Sequence, residues 1–140
     1  MGYALQNEEL ERIKGILEKD ACILAAFLFG SQADGRPHKY SDVDIAVLFD
    51  DTVSQEKYTD RQISLITGLS EILKREVDIV ILSRASLFLR YHILKHGIKV
   101  YERPGRNEHS FEAAAIIQYL DFVPIKNRIE NSMLAKIKGV

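Results

Sequence analysis

Between residues 29 and 44 the chain turns on a glycine-serine pair and returns with two aspartates: Phe29-Gly30-Ser31, then Asp42-Val43-Asp44. Ile23 to Phe29 precedes the turn as an unbroken apolar run, the length and character of a strand buried on both faces. A glycine at its end admits dihedrals barred to other residues and lets the backbone come close to a ligand. Ser31, Gln32 and Ala33 can then open a short helical turn, whose free N–H groups and serine hydroxyl suit phosphate oxygens. Ten residues separate Ser31 from Asp42, and Gly35, Pro37 and Ser41 among them mark a loop.

From Asp42 to Phe49 the sequence alternates, so Asp42, Asp44, Ala46 and Leu48 share one face of a strand and Val43, Ile45, Val47 and Phe49 the other. Carboxylates at i and i+2 stand roughly 7 Å apart along a strand, close enough to share one or two divalent ions. A third acid, Asp78, interrupts the apolar strand pattern of Val77 to Ile81. Burying such a charge without a partner costs several kcal/mol, so Asp78 is expected to serve a purpose. Asp-x-Asp by itself carries little weight, since a chain with nine aspartates would contain it by chance about half the time. The order of features carries more: strand, glycine-serine turn, loop, paired acids heading a second strand, lone acid on a third. It points to a metal and phosphate site; the plainer alternative is a solvated turn with surface acids.

These residues resemble the minimal nucleotidyltransferases of the polymerase β superfamily. The likeness is greatest to the antitoxin half of paired HEPN and MNT toxin–antitoxin modules, and it spans essentially the whole chain. It implies an α/β (α+β) fold, a small mixed sheet flanked by helices with a helical C-terminal tail. It implies one domain over 1–140, with a catalytic core about 7–103 and an extension about 107–138. Carried onto this sequence, it gives Asp42, Asp44 and Asp78 as catalytic residues and Mg²⁺ ligands, two ions being expected. Gly30 and Ser31 become the grip on the phosphates of ATP. The implied activity is transfer of AMP from ATP to a tyrosine hydroxyl of a HEPN ribonuclease toxin, which silences it. Alternatives are a non-catalytic antitoxin that masks the toxin, or a nucleotidyltransferase acting on small molecules such as aminoglycosides. Asp34 departs from the pattern, standing where many relatives carry a basic residue.

Composition narrows the partners. A net charge of −1 gives no broad basic field, which argues against direct nucleic-acid binding. Cys22 is the only cysteine, so no disulfide forms within the chain, and a buried structural thiol is its expected role. Met1 to Gln6 lacks the basic-then-apolar pattern of a signal peptide, and no run approaches the roughly 18 apolar residues of a membrane span. No membrane partner and a cytoplasmic setting are therefore expected.

Along the chain, Asn7 is expected to cap a helix to about Lys19 with Leu10, Ile13 and Leu17 inward. The first two strands should run antiparallel so that both reach the same phosphates. A helix from Ser54 to about Lys74, with a stripe of Ile63, Ile66, Leu69, Ile72 and Leu73, should cross the sheet and return the Asp78 strand parallel to the one holding Asp42 and Asp44. Ser83 is expected to cap a further helix over 85–95, followed by a short strand at 98–101. Arg84 and Arg90 read as surface ion pairs that could also reach an anionic ligand. The i, i+4 pair His92 and His96 reads as an exposed helix face. Residues 109–138 are helical in pattern, with Pro124 expected to kink or split them.

Overall fold

The computed structural model describes residues 5–30, 43–50, 52–105 and 109–137. Within them, helix α1 (Asn7–Glu18) leads into strands β1 (Ile23–Phe29) and β2 (Val43–Phe49). Helix α2 (Tyr58–Leu73), strand β3 (Val77–Ile81), helix α3 (Leu87–His96), strand β4 (Ile98–Glu102) and helix α4 (His109–Ile137) follow. The strands form one sheet in the order β3-β2-β1-β4. β1 is antiparallel to both β2 and β4, whereas β2 and β3 are parallel, as the crossover through α2 requires.

Both sheet faces are covered. On one, Ile13 and Leu17 of α1 and Leu65, Leu69 and Leu73 of α2 pack against Val43, Ile45, Val47, Ile79 and Ile81. On the other, Ile93 of α3 and Leu82 pack against Ala25, Phe27, Ala46 and Leu48. Each fully buried Ile or Leu contributes about 1.5–3 kcal/mol. Strand alternation places Asp44 on the α3 side, with Ala46 and Leu48.

Helix ends and faces differ from the sequence pattern in detail. Gln6, not Asn7, caps α1: its backbone N–H donates to Glu9 Oε1 at 3.1 Å in a reciprocal capping box. Ser86, not Ser83, caps α3, its hydroxyl accepting from Leu89 N–H at 3.2 Å, because residues 82–84 first make a 3₁₀ turn. After Ser54 a 3₁₀ turn at 55–57 precedes α2, which rotates the buried stripe to Tyr58, Leu65, Leu69 and Leu73. Ile63 and Ile72 consequently face outward, Ile63 being 56% exposed. α4 passes through Pro124 as a single helix; the proline sits at an exposed position, where water can satisfy the carbonyl it leaves unbonded.

Candidate active site

The end of β1 and the beginnings of β2 and β3 meet at one edge of the sheet. Phe29 lies opposite Asp44 across β1 and β2, and Asp44 lies beside Asp78 across β2 and β3. Register partners point to the same face, so the two carboxylates stand on the α3 side of neighbouring strands about 4.8 Å apart. Asp44 is half-buried and Asp78 is exposed. The expectation of a buried Asp78 is thus corrected: β3 is an edge strand, and water reaches this side chain, so no desolvation cost demands a partner.

Gly30 closes the site from the β1 side. Its φ of 72° lies in the left-handed region, and a β-carbon there would run into the Asp44 carboxylate, 3.2 Å from Cγ and nearer still to Oδ2. Backbone and carboxylate therefore touch only because residue 30 has no side chain. Ser31 and Asp42 lie outside the described residues; each is the sequence neighbour of a described one, Gly30 and Val43. Asp34 also lies outside them.

At this spacing two ionised carboxylates repel by about 1–3 kcal/mol for an effective dielectric between that of water and that of a protein surface. A cation between them reverses the sign. Their oxygens are the hard donors that Mg²⁺ takes together with phosphate and water, so the donor set fits that ion.

Beside Asp78 a cavity of about 310 Å³ opens along β3, lined also by Gln62, Arg84 and Ala85. The Gln62 side-chain amide donates to Ile79 O at 2.5 Å, capping a carbonyl on the outer edge of the strand that carries Asp78. Nothing in the sequence distinguishes this glutamine from other polar residues of α2; only the packing of α2 against β3 selects it. Arg84 donates to Gln55 O at 2.7 Å and stands over the Tyr58 ring. Arg90 donates to the carbonyls of Leu82, Ser83 and Ala85. Both arginines tie down the segment after β3 through these carbonyls. A larger hollow of about 840 Å³ between α1 and β4 is lined by neither acid, so size does not mark the site.

Other candidates resolve into structure. Asp20 joins three elements: its Oδ2 accepts from Arg61 at 2.6 Å, its Oδ1 from Cys22 N–H, and its carbonyl from Arg103 at 2.7 Å. The hydrogen bond to Asp20 raises the Arg61 pKa above its ordinary value, holding the guanidinium charged. Cys22 is half-buried rather than buried. Asp50, just past β2, is buried, with Oδ1 accepting Thr52 N–H at 2.6 Å. His92 and His96 are exposed with their rings 4.9 Å apart, and among the described residues no cluster of three His, Cys, Asp or Glu joins them.

Residues 11–106 match the family model described as Polymerase beta, Nucleotidyltransferase. A protein adenylyltransferase MntA from Aphanizomenon flos-aquae is 31% identical over 127 residues, covering 83% of this chain and 82% of that protein. Among solved structures, a toxin–antitoxin complex with AMP-PNP contains a chain that superposes with a TM-score of 0.66 at 20% identity, over 96% of this chain and 99% of its own. A complex of tri-AMPylated Shewanella oneidensis HEPN toxin with MNT antitoxin gives 0.65 at 19%, with coverage of 96% and 99%. At those identities the structural likeness is one of fold. The match along the sequence, together with the glycine turn set against paired acids, makes this chain a member of the polymerase beta nucleotidyltransferase family.

Proposed function

We propose that this protein transfers AMP from ATP to a tyrosine hydroxyl of a HEPN-type toxin and so neutralises it. The carrying observation is the contact between Gly30 and the Asp44 carboxylate, with Asp78 in register on the next strand. A turn that can receive phosphate oxygens and a pair of acids that can hold a cation occupy one end of one sheet. The MntA adenylyltransferase relative and the AMPylated toxin seen with a chain of the same fold support the acceptor class. AMP-PNP in the other complex supports ATP as donor.

In this reading Gly30 and Ser31 receive the outer phosphates, and Asp42, Asp44 and Asp78 hold Mg²⁺. Bound there, Mg²⁺ supplies neutralisation of charge at the α-phosphate and on the departing pyrophosphate. The tyrosine oxygen attacks the α-phosphorus, the bond to the bridging oxygen of the β-phosphate breaks, and pyrophosphate leaves. Asp78, exposed on the edge strand, accepts the hydroxyl proton or orients the hydroxyl for attack. Residues 7–103 form the catalytic unit, 107–138 a helical extension of the same domain, and the cytoplasm, where ATP is abundant, is the fitting location. The described helices include none long and apolar enough to cross a membrane.

Incubation with ATP labelled at the α-phosphate, Mg²⁺ and a purified HEPN-type toxin tests the reading. Label on the toxin, lost with Asp44→Asn, is the expected result. A tight complex with no label would instead favour masking without chemistry, and label only on small acceptors would favour the aminoglycoside-type alternative.

A further inference from the structure

The second half of α4 stands apart from the rest of the molecule. From Pro124 to Lys136 every side chain is exposed except those of Lys126 and Ala135, which are half-buried. Yet the sequence there is not that of a solvated helix. Ile125, Ile129 and Met133 recur every four residues and are 51%, 54% and 58% exposed, with Leu134 beside them at 50%. An unpacked helical stretch of about a dozen residues is marginal in water, and an i, i+4 apolar ridge is the surface that packs into a matching ridge at a crossing angle near −50°.

Charge selects among occupants. Residues 122–140 carry four basic side chains, Lys126, Arg128, Lys136 and Lys138, against one acid, Glu130, in a chain whose net charge is −1. A second copy of α4 would bring like charge against like charge. Two helices crossing at that angle also touch over only a few turns, well short of the ~1,200–2,000 Å² of a stable specific interface. A partner that also reaches the acids has a second contact to add.

We propose that the ridge Ile125, Ile129 and Met133 docks one helix of the toxin acceptor, a helix with its own apolar i, i+4 ridge flanked by Asp and Glu. This rests on the reading of a helical toxin as acceptor. The free half of α4 gives the enzyme a recognition surface separate from its carboxylates, so a large substrate is held while its tyrosine enters and leaves the site.

Calorimetric titration of the full chain with a purified HEPN-type toxin tests the proposal, using Ile129→Glu and Met133→Glu. Both positions are exposed, so circular dichroism and Tm should match the parent. The expected result is a Kd weakened about tenfold or more, with KM for AMP transfer raised in step and kcat unchanged. Reversing Lys126 and Arg128 to Glu should weaken binding similarly and flatten its salt dependence. Unchanged Kd in the ridge variants, no binding by the parent chain, or a parent homodimer that Ile129→Glu dissociates would each overturn it. Asp44→Asn separates this from the catalytic reading: it should abolish label, while Ile129→Glu added to it still weakens Kd about tenfold. A parent that binds through the ridge without labelling would sink the transfer reading and keep the surface.

Discussion

Gly30 and Asp44 show how one missing side chain can set a site. The left-handed φ of Gly30 and its contact with the Asp44 carboxylate are two separate demands, and alanine fails both. Gly30→Ala should lower AMP transfer by about a hundredfold or more because Asp44 must move, while costing only about 1–2 kcal/mol in urea unfolding. Steady-state rates beside a denaturation curve would separate the two effects; equal loss of both would mean the glycine serves folding alone. Asp44→Asn and Asp78→Asn should each reduce kcat by about a hundredfold or more. Both should keep Tm within a few degrees, since each substitution relieves repulsion between neighbouring acids. Asp78→Asn retaining full activity with Asp44→Asn inactive would remove the edge-strand acid from the mechanism.

The elements are held in register by ties that cross them. Arg103, just after β4, donates to the carbonyls of Ile23 and Asp20 at 2.9 and 2.7 Å and more weakly to that of Glu18, fixing the α1–β1 turn against the far end of the sheet. Arg103→Leu should cost about 2–3 kcal/mol by chemical denaturation, since hydrogen bonds from a charged donor are worth more than neutral ones and part-buried carbonyls lose a donor. The active end of the sheet lies at the opposite ends of these strands, so KM for ATP should not move. α2 gives a sharper contrast. Leu69→Ala, at a fully buried position, should cost about 2–5 kcal/mol, whereas Ile63→Ala, on the exposed face, should change stability by less than about 0.5 kcal/mol. The reverse order would mean the helix is rotated from the orientation described.

At the scale of the molecule, a cation held by the paired acids at the end of the parallel-antiparallel junction would couple its binding to folding. A ligand that binds only the folded state stabilises it by about 2.7 kcal/mol at a hundred times its Kd. A non-hydrolysable ATP analogue with Mg²⁺ should therefore raise Tm by several degrees, and a chelator should abolish most of that rise. In Asp44→Asn the shift should shrink with or without chelator. A shift indifferent to chelator would indicate nucleotide binding that does not use the acids.

The sequence by itself determined the order of elements and which strands carry Asp44 and Asp78. Alternation fixed Asp44 on one face of its strand, the α2 crossover fixed β3 parallel to β2, and an apolar run ending in glycine placed the turn. These are local periodicities and chain-length constraints, which any window of the chain displays. Tertiary structure alone decided the rest. Packing chose Leu65 over Ile63 for the core, because 3₁₀ turns too short to show in the pattern rotate the helix after them. It chose Gln62 to cap Ile79 and sent Arg84 to Gln55 O, contacts between residues that the sequence holds well apart. It also left the apolar ridge of α4 uncovered, because burial is set by what lies opposite a residue in space, and no pattern along a chain records that.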